Sequence, residues 1–207
     1  RNRGTCIHQV VPIATISWAP DWAPYTILGD EAWHDYEVSV HVYLNPRDKA
    51  ALMGRINHVG TGYGFIPKGY FLELSSDGQC RLVLIRGKPD PKKVVGDAEQ
   101  QALIRAGKYE GEGGELVLGT ATLTDVHPYR WHQLILRFQG DHITGLVDGK
   151  QVLSARNTLY ERGMAGMMAG AEGQRLSTPY FDNIVIKRVG GPMPRPTKSR
   201  AAQKPIY

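Results

Sequence analysis

The chain has 207 residues, 42% hydrophobic and 22% charged, with a formal net charge of +5. It is long enough to bury a sizeable core, and no apolar run approaches the ~20 residues of a membrane-spanning helix. The positive charge belongs to one end: Lys187, Arg188, Arg195, Lys198, Arg200 and Lys204 sit there, and no acid follows Asp182. Without those six the balance is 19 basic against 20 acidic residues, so the folded part is nearly neutral and nucleic acid is not an expected partner.

The N-terminus, RNRGTCIHQVV, lacks the apolar stretch of a signal peptide, which fits a cytosolic protein, a mature form or a fragment. Residues 1–24 read as an arm with a short edge strand, punctuated by Pro12, Pro20 and Pro24. Tyr25 to Leu44 follows, with a turn at Gly29-Asp30 and the clearest strand in the chain. Tyr36, Val38, Val40, Val42 and Leu44 share one parity, while Glu37, Ser39, His41 and Tyr43 share the other. Side chains alternate across a strand, so this is a sheet with one apolar face and one wet face.

Ala50 to Val59 reads as a buried strand carrying an arginine, Arg55, which must find a carboxylate, a carbonyl or a ligand. A glycine-rich loop covers residues 60–69. Tyr70 to Leu74 and Gln79 to Arg86 form a hairpin around Asp77-Gly78. Residues 87–114 break the strand rhythm. Asp97 and Gln100 resemble a capping box, so a short helix is predicted over residues 98–106. Strands return at Leu116 to Thr122, Trp131 to Phe138, His142 to Val147 and Gln151 to Ser154, with turns at Gly140-Asp141 and Asp148-Gly149. GMAGMMAG at 163–170 reads as a close-packed strand beside the last one, Pro179 to Val189. That last strand is predicted to pair with the early strand at residues 36–44. Trp33 and Trp131 are placed in the core. Residues 190–207 form a basic, Pro-rich tail, which solvation alone explains or which holds other protein subunits.

The fold class is therefore all-β: an antiparallel sandwich or jelly roll spanning residues 25–189, with one possible short helix within residues 87–114.

Several constellations bear on function. Asp182 falls on the parity of Ile184 and Ile186, and a buried carboxylate needs a cation or hydrogen-bond donors. Asp30 sits at the turn before the early strand. The two could share calcium, or Asp30 makes an Asx turn and Asp182 accepts backbone N–H groups. Sugar recognition needs an aromatic platform and fixed polar groups. Candidates are Arg55, Asn57, Tyr63 and Tyr70, with Phe65, Tyr129 and Trp131 as further aromatics; packing is the plainer reading of each aromatic. No carboxylate pair of the glycosidase kind stands out. Glu37 and Glu73 read as solvated, or as partners of Arg55 or Arg81. Cys6 and Cys80 either pair or remain buried free thiols.

The order GDEAWHDYEVSVHVYL, AALMGRIN, YFLEL–DG–CRLVL, YRWHQLILRFQGDHITGLVDGKQV, GMAGMMAG and YFDNIVIKR resembles the concanavalin-A-like (laminin-G-like) jelly roll. More narrowly it is similar to the C-terminal lectin domain of galactocerebrosidase-type glycoside hydrolases, over roughly residues 9–189. That resemblance implies a glycan partner, an extracellular, secretory or periplasmic setting, and a calcium site near the terminal strands with Asp182 the better ligand. The barrel and the paired glutamates of the whole enzyme have no counterpart here, so the resemblance implies an accessory domain without its own catalysis.

Overall fold

The computed structural model describes residues 5–8, 24–58, 67–86, 115–170 and 177–190. The predicted helix, the tail beyond residue 190, Tyr63 and Phe65 lie outside the described residues.

Twelve strands follow one another in the described residues: β1 (Ile7–His8), β2 (Tyr25–Leu28), β3 (Tyr36–Tyr43), β4 (Lys49–His58), β5 (Lys68–Ser75), β6 (Gln79–Ile85), β7 (Glu115–Thr122), β8 (Trp131–Gln139), β9 (His142–Val147), β10 (Lys150–Arg156), β11 (Met164–Ala169) and β12 (Tyr180–Arg188). They form two six-stranded sheets. The first has the order β1-β12-β3-β8-β9-β10 and the second β2-β11-β4-β5-β6-β7. All pairings are antiparallel, and β3 lies beside β12 as the sequence led us to expect.

Alternation explains how the sheets stack. The inward parity of β3, from Tyr36 to Leu44, is fully buried with Leu134, Leu136 and Phe138 of β8. It meets Leu52, Tyr70, Leu72, Leu74, Leu82 and Leu84 of the second sheet in one core. Trp33 belongs to this core and rests on Gly29, whose backbone takes φ 109°. A Cβ on Gly29 would lie 2.0 Å from the Trp33 ring, so only glycine fits that turn. The second sheet is apolar on its outer face too. Ala51, Met53, Phe71, Val83, Ile85 and Met168 form a second buried cluster there, which is why β4 reads as a continuous apolar run rather than an alternating one.

Two expectations need correction. Trp131 is 45% exposed, on the outer face of the first sheet. Its neighbours Leu134, Leu136 and Phe138 carry the inward parity, and Trp131 carries the other. Asp182 does not share a face with Ile184 and Ile186. Asp182 pairs with His41 and Val185 with Ser39, so β12 carries an extra residue between them. Asn183 takes φ 52° in this bulge, and the parity of the strand switches there.

Candidate functional site

Arg55 lies in left-handed backbone, φ 48°, where β4 shifts register. It is 1% exposed. Its guanidinium donates to the carbonyls of His34 (3.0 and 3.1 Å), Tyr160 (3.2 Å) and Gly140 (2.8 Å). It also lies 3.4 Å from Asp35 Oδ1 and 4.9 Å above the centre of the Phe138 ring. Burial pulls its pKa below the ordinary arginine value, and Tyr70, Tyr36 and Asp35 only partly oppose this. Tyr70 is fully buried; its hydroxyl donates to Asn157 Oδ1 at 2.7 Å and accepts from the Tyr160 N–H at 3.2 Å. Asn57 is exposed and donates to the Arg162 carbonyl at 3.3 Å.

The structure therefore brings Arg55, Asn57 and Tyr70 together, but as the fastening of the 157–163 segment. Arg55 and Tyr70 have no solvent-facing surface with which to hold a soluble sugar, which corrects the sequence expectation for these two. Backbone carbonyls satisfy the Arg55 guanidinium, and Asn157 with the Tyr160 N–H satisfies the Tyr70 hydroxyl.

Each aspartate accepts a local backbone hydrogen bond. Asp30 Oδ1 accepts from the Ala32 N–H at 2.8 Å, an Asx turn. Asp182 Oδ1 accepts from the Asn183 N–H at 2.7 Å. Asp182 faces His41, five residues beyond the Tyr36 end of β3, on the order of 17 Å. Asp30 lies six residues before that end in the chain. Among the described residues no group of three or more His, Cys, Asp or Glu side chains could hold a metal ion.

The open face of the first sheet has a different content. The register places His8, Tyr180, Tyr43 and Trp131 in one row across four adjacent strands. His8 stacks on Tyr180 at 3.7 Å with 5° between the planes. Tyr43 meets Tyr180 edge-on at 5.6 Å and lies 5.5 Å from the Trp131 ring, tilted. Such contacts fix the rings; Trp131 is exposed, and His8, Tyr43 and Tyr180 are half-buried. The next row on the same face, about 7 Å along the strands, is Asp182, His41 and Gln133. His41 Nδ1 is buried and has no hydrogen-bond partner among the described residues. An aromatic platform beside an acceptor, an imidazole and an amide is the donor and acceptor set that a hydroxyl-rich ligand requires.

Two more rows complete the face. Val185, Ser39, Ile135 and Leu146 come first, with Val185 51% exposed. Then come Lys187, Glu37, Arg137, Thr144 and Ser154. Glu37 is clasped from both sides. Arg137 Nε and Nη2 reach its Oε2 at 2.7 and 2.5 Å, and Lys187 Nζ reaches Oε1 at 2.8 Å. Burial works against its ionised form, but these two cations outweigh that and hold its pKa below the usual carboxylate value. On the other sheet Glu73 is buried beside Arg81 at 3.2 Å, and Arg81 also pairs with Glu115.

The sequence reading missed the aromatic row because its members come from four separate segments. The signal was available: Tyr43 is the one aromatic residue on the wet parity of β3. The pairing of β3 with β12, already expected, aligns Tyr43 with Tyr180.

Residues 1–87 match the family model described as galactocerebrosidase, C-terminal lectin domain. The resemblance expected from the sequence motifs is thus found independently over β1 to β6, the span that contains Tyr43 and His41. Among solved structures the fold is similar to a carbohydrate-binding module from Bacillus subtilis, with 15% identity, a TM-score of 0.50 and 74% of each chain covered. It is also similar to sheep galectin-11, with 11% identity, a TM-score of 0.46, and 79% of this chain and 96% of that one covered. A third is a family 16 endo-glucanase from Bacteroides ovatus, with 9% identity, a TM-score of 0.48, and coverage of 74% and 70%. No curated protein sequence matches the chain. At 15% identity the likeness to the carbohydrate-binding module is one of fold alone, a β-sandwich.

Proposed function

We infer that this chain, whose first 87 residues match the C-terminal lectin domain of galactocerebrosidase, is a non-catalytic glycan-binding domain of a galactosidase-type hydrolase. The observation that carries the reading is the row His8, Tyr180, Tyr43 and Trp131 on an open sheet face, backed by Asp182, His41 and Gln133. Sugar rings present C–H faces that pack on aromatic rings, and their hydroxyls need donors and acceptors at the rim. The lack of catalysis is supported by the state of two glutamates. Glu37 and Glu73 are buried beneath arginines, and an acid held as a salt bridge is poorly placed to exchange a proton with a glycosidic oxygen.

The test is a glycan array that includes galactosides, run with calcium, with chelator, and with Trp131→Ala. Binding that Trp131→Ala abolishes supports the reading, and the chelator arm reads whether calcium takes part. A blank array in every condition overturns it.

A further inference from the structure

We propose that the row Lys187, Arg137, Thr144 and Ser154 is a second subsite on this face, for a carboxylate or sulfate ester carried by an extended glycan. The inference rests on the glycan-binding reading and adds the class of ligand.

Three observations carry it. First, Glu37 stands in the row between Lys187 and Arg137 but is far less exposed than either. Its side chain is 5% exposed, whereas those of Arg137 and Lys187 are 45% and 65% exposed. The one carboxylate offsets only one of the two positive charges, so the exposed part of the cluster stays cationic. Second, the cations are held in place. Glu37 engages Arg137 through Nε and Nη2, which orients the guanidinium plane and leaves Nη1 outside the pair. A fork fixed in this way binds an oxyanion at a smaller cost in side-chain freedom than a loose arginine does. Hydroxyl groups continue the row: Thr144 pairs with Arg137 and Ser154 with Thr144 across adjacent strands, and Ser154 Oγ lies 2.8 Å from His142 Nε2. Third, the row is aligned with the aromatic platform. Glu37 is six residues from Tyr43 on β3, on the order of 20 Å. Between them lie the polar row and the exposed Val185 with Ile135 and Leu146. A chain of several sugars lying along the strands would have one end stacked on Tyr43 and Trp131. Its other end would carry the acidic group to Lys187 and Arg137.

The experiment titrates the intact chain with a matched pair of galacto-oligosaccharides, one neutral and one bearing a terminal sulfate ester or uronic acid. A charge-assisted contact makes the anionic member bind about tenfold more tightly. Added salt narrows the difference, because the cations are exposed. Lys187→Gln removes most of it and leaves the neutral member bound as before, and Lys187→Arg restores it. Inorganic sulfate alone competes with the anionic member and not with the neutral one. Equal affinity for the two oligosaccharides, or an advantage that Lys187→Gln does not touch, overturns the inference while glycan binding stands. Binding of neither overturns both.

Discussion

The backbone N–H of Arg55 donates to the hydroxyl of Tyr36 at 2.6 Å, and that hydroxyl donates to the Met164 carbonyl at 3.0 Å. One buried hydroxyl thus joins β3, β4 and β11, the strands at which the two sheets and the late segment meet. Arg55 extends the same junction to the carbonyls of His34, Gly140 and Tyr160. Arg55→Met keeps much of the volume but leaves those carbonyls without a donor. We expect it to lower stability by about 3 kcal/mol, read by urea unfolding, with glycan affinity unchanged in whatever fraction stays folded. A stable variant that loses glycan binding would put Arg55 back in contact with ligand.

Trp131→Ala has the opposite signature. The ring is nearly half exposed and outside the core, so its loss should change stability by less than about 1 kcal/mol. Glycan affinity should fall about tenfold or more, as for the truncation of an aromatic anchor. Matched melting curves and binding isotherms check both parts.

The two cysteines are free, Cys6 exposed and Cys80 buried. Burial, with Glu73 nearby, pushes the Cys80 thiol up to about 12. A thiol-reactive reagent should therefore add one label per native chain, at Cys6, and a second only after denaturation. Mass spectrometry of the labelled peptides decides it, and rapid native labelling of Cys80 would contradict the packing of β6.

Glu37 gives the fold a dependence on acid. Its pKa is held below the ordinary 4.5 when folded, despite burial, by Lys187 and Arg137. A depressed carboxylate contributes stability that is fully present above its unfolded value. The contribution is lost as pH falls through the lower folded value. Stability should thus decline below about pH 4.5. In Glu37→Gln that part of the decline should disappear, with lower stability at neutral pH. Denaturation midpoints across that range read the difference.

Most of the fold was legible because alternation is a local signal. β9 was expected at His142 to Val147 and is found there, and β5, β6, β8 and β12 begin or end within two residues of expectation. The pairing of β3 with β12 was legible too, from complementary patterns. The site was less legible, for two physical reasons. A left-handed Asn183 inserts a bulge that no parity count includes, and it moved Asp182 to the other face. A strand-borne arginine in an apolar run marks either a ligand contact or a buried fastening, and composition does not separate them. The three carbonyls that Arg55 satisfies come from 34, 140 and 160, far apart in the chain.

The most direct test of the central claim is to map, by backbone amide chemical shifts, where a neutral galacto-oligosaccharide sits on the chain. The account predicts saturable shifts clustered at His8, His41, Tyr43, Trp131, Gln133, Tyr180 and Asp182, with the amides around Asn57 and Arg162 unmoved. Shifts centred on Asn57, Arg162 and the 157–163 segment, with the aromatic row silent, would contradict it.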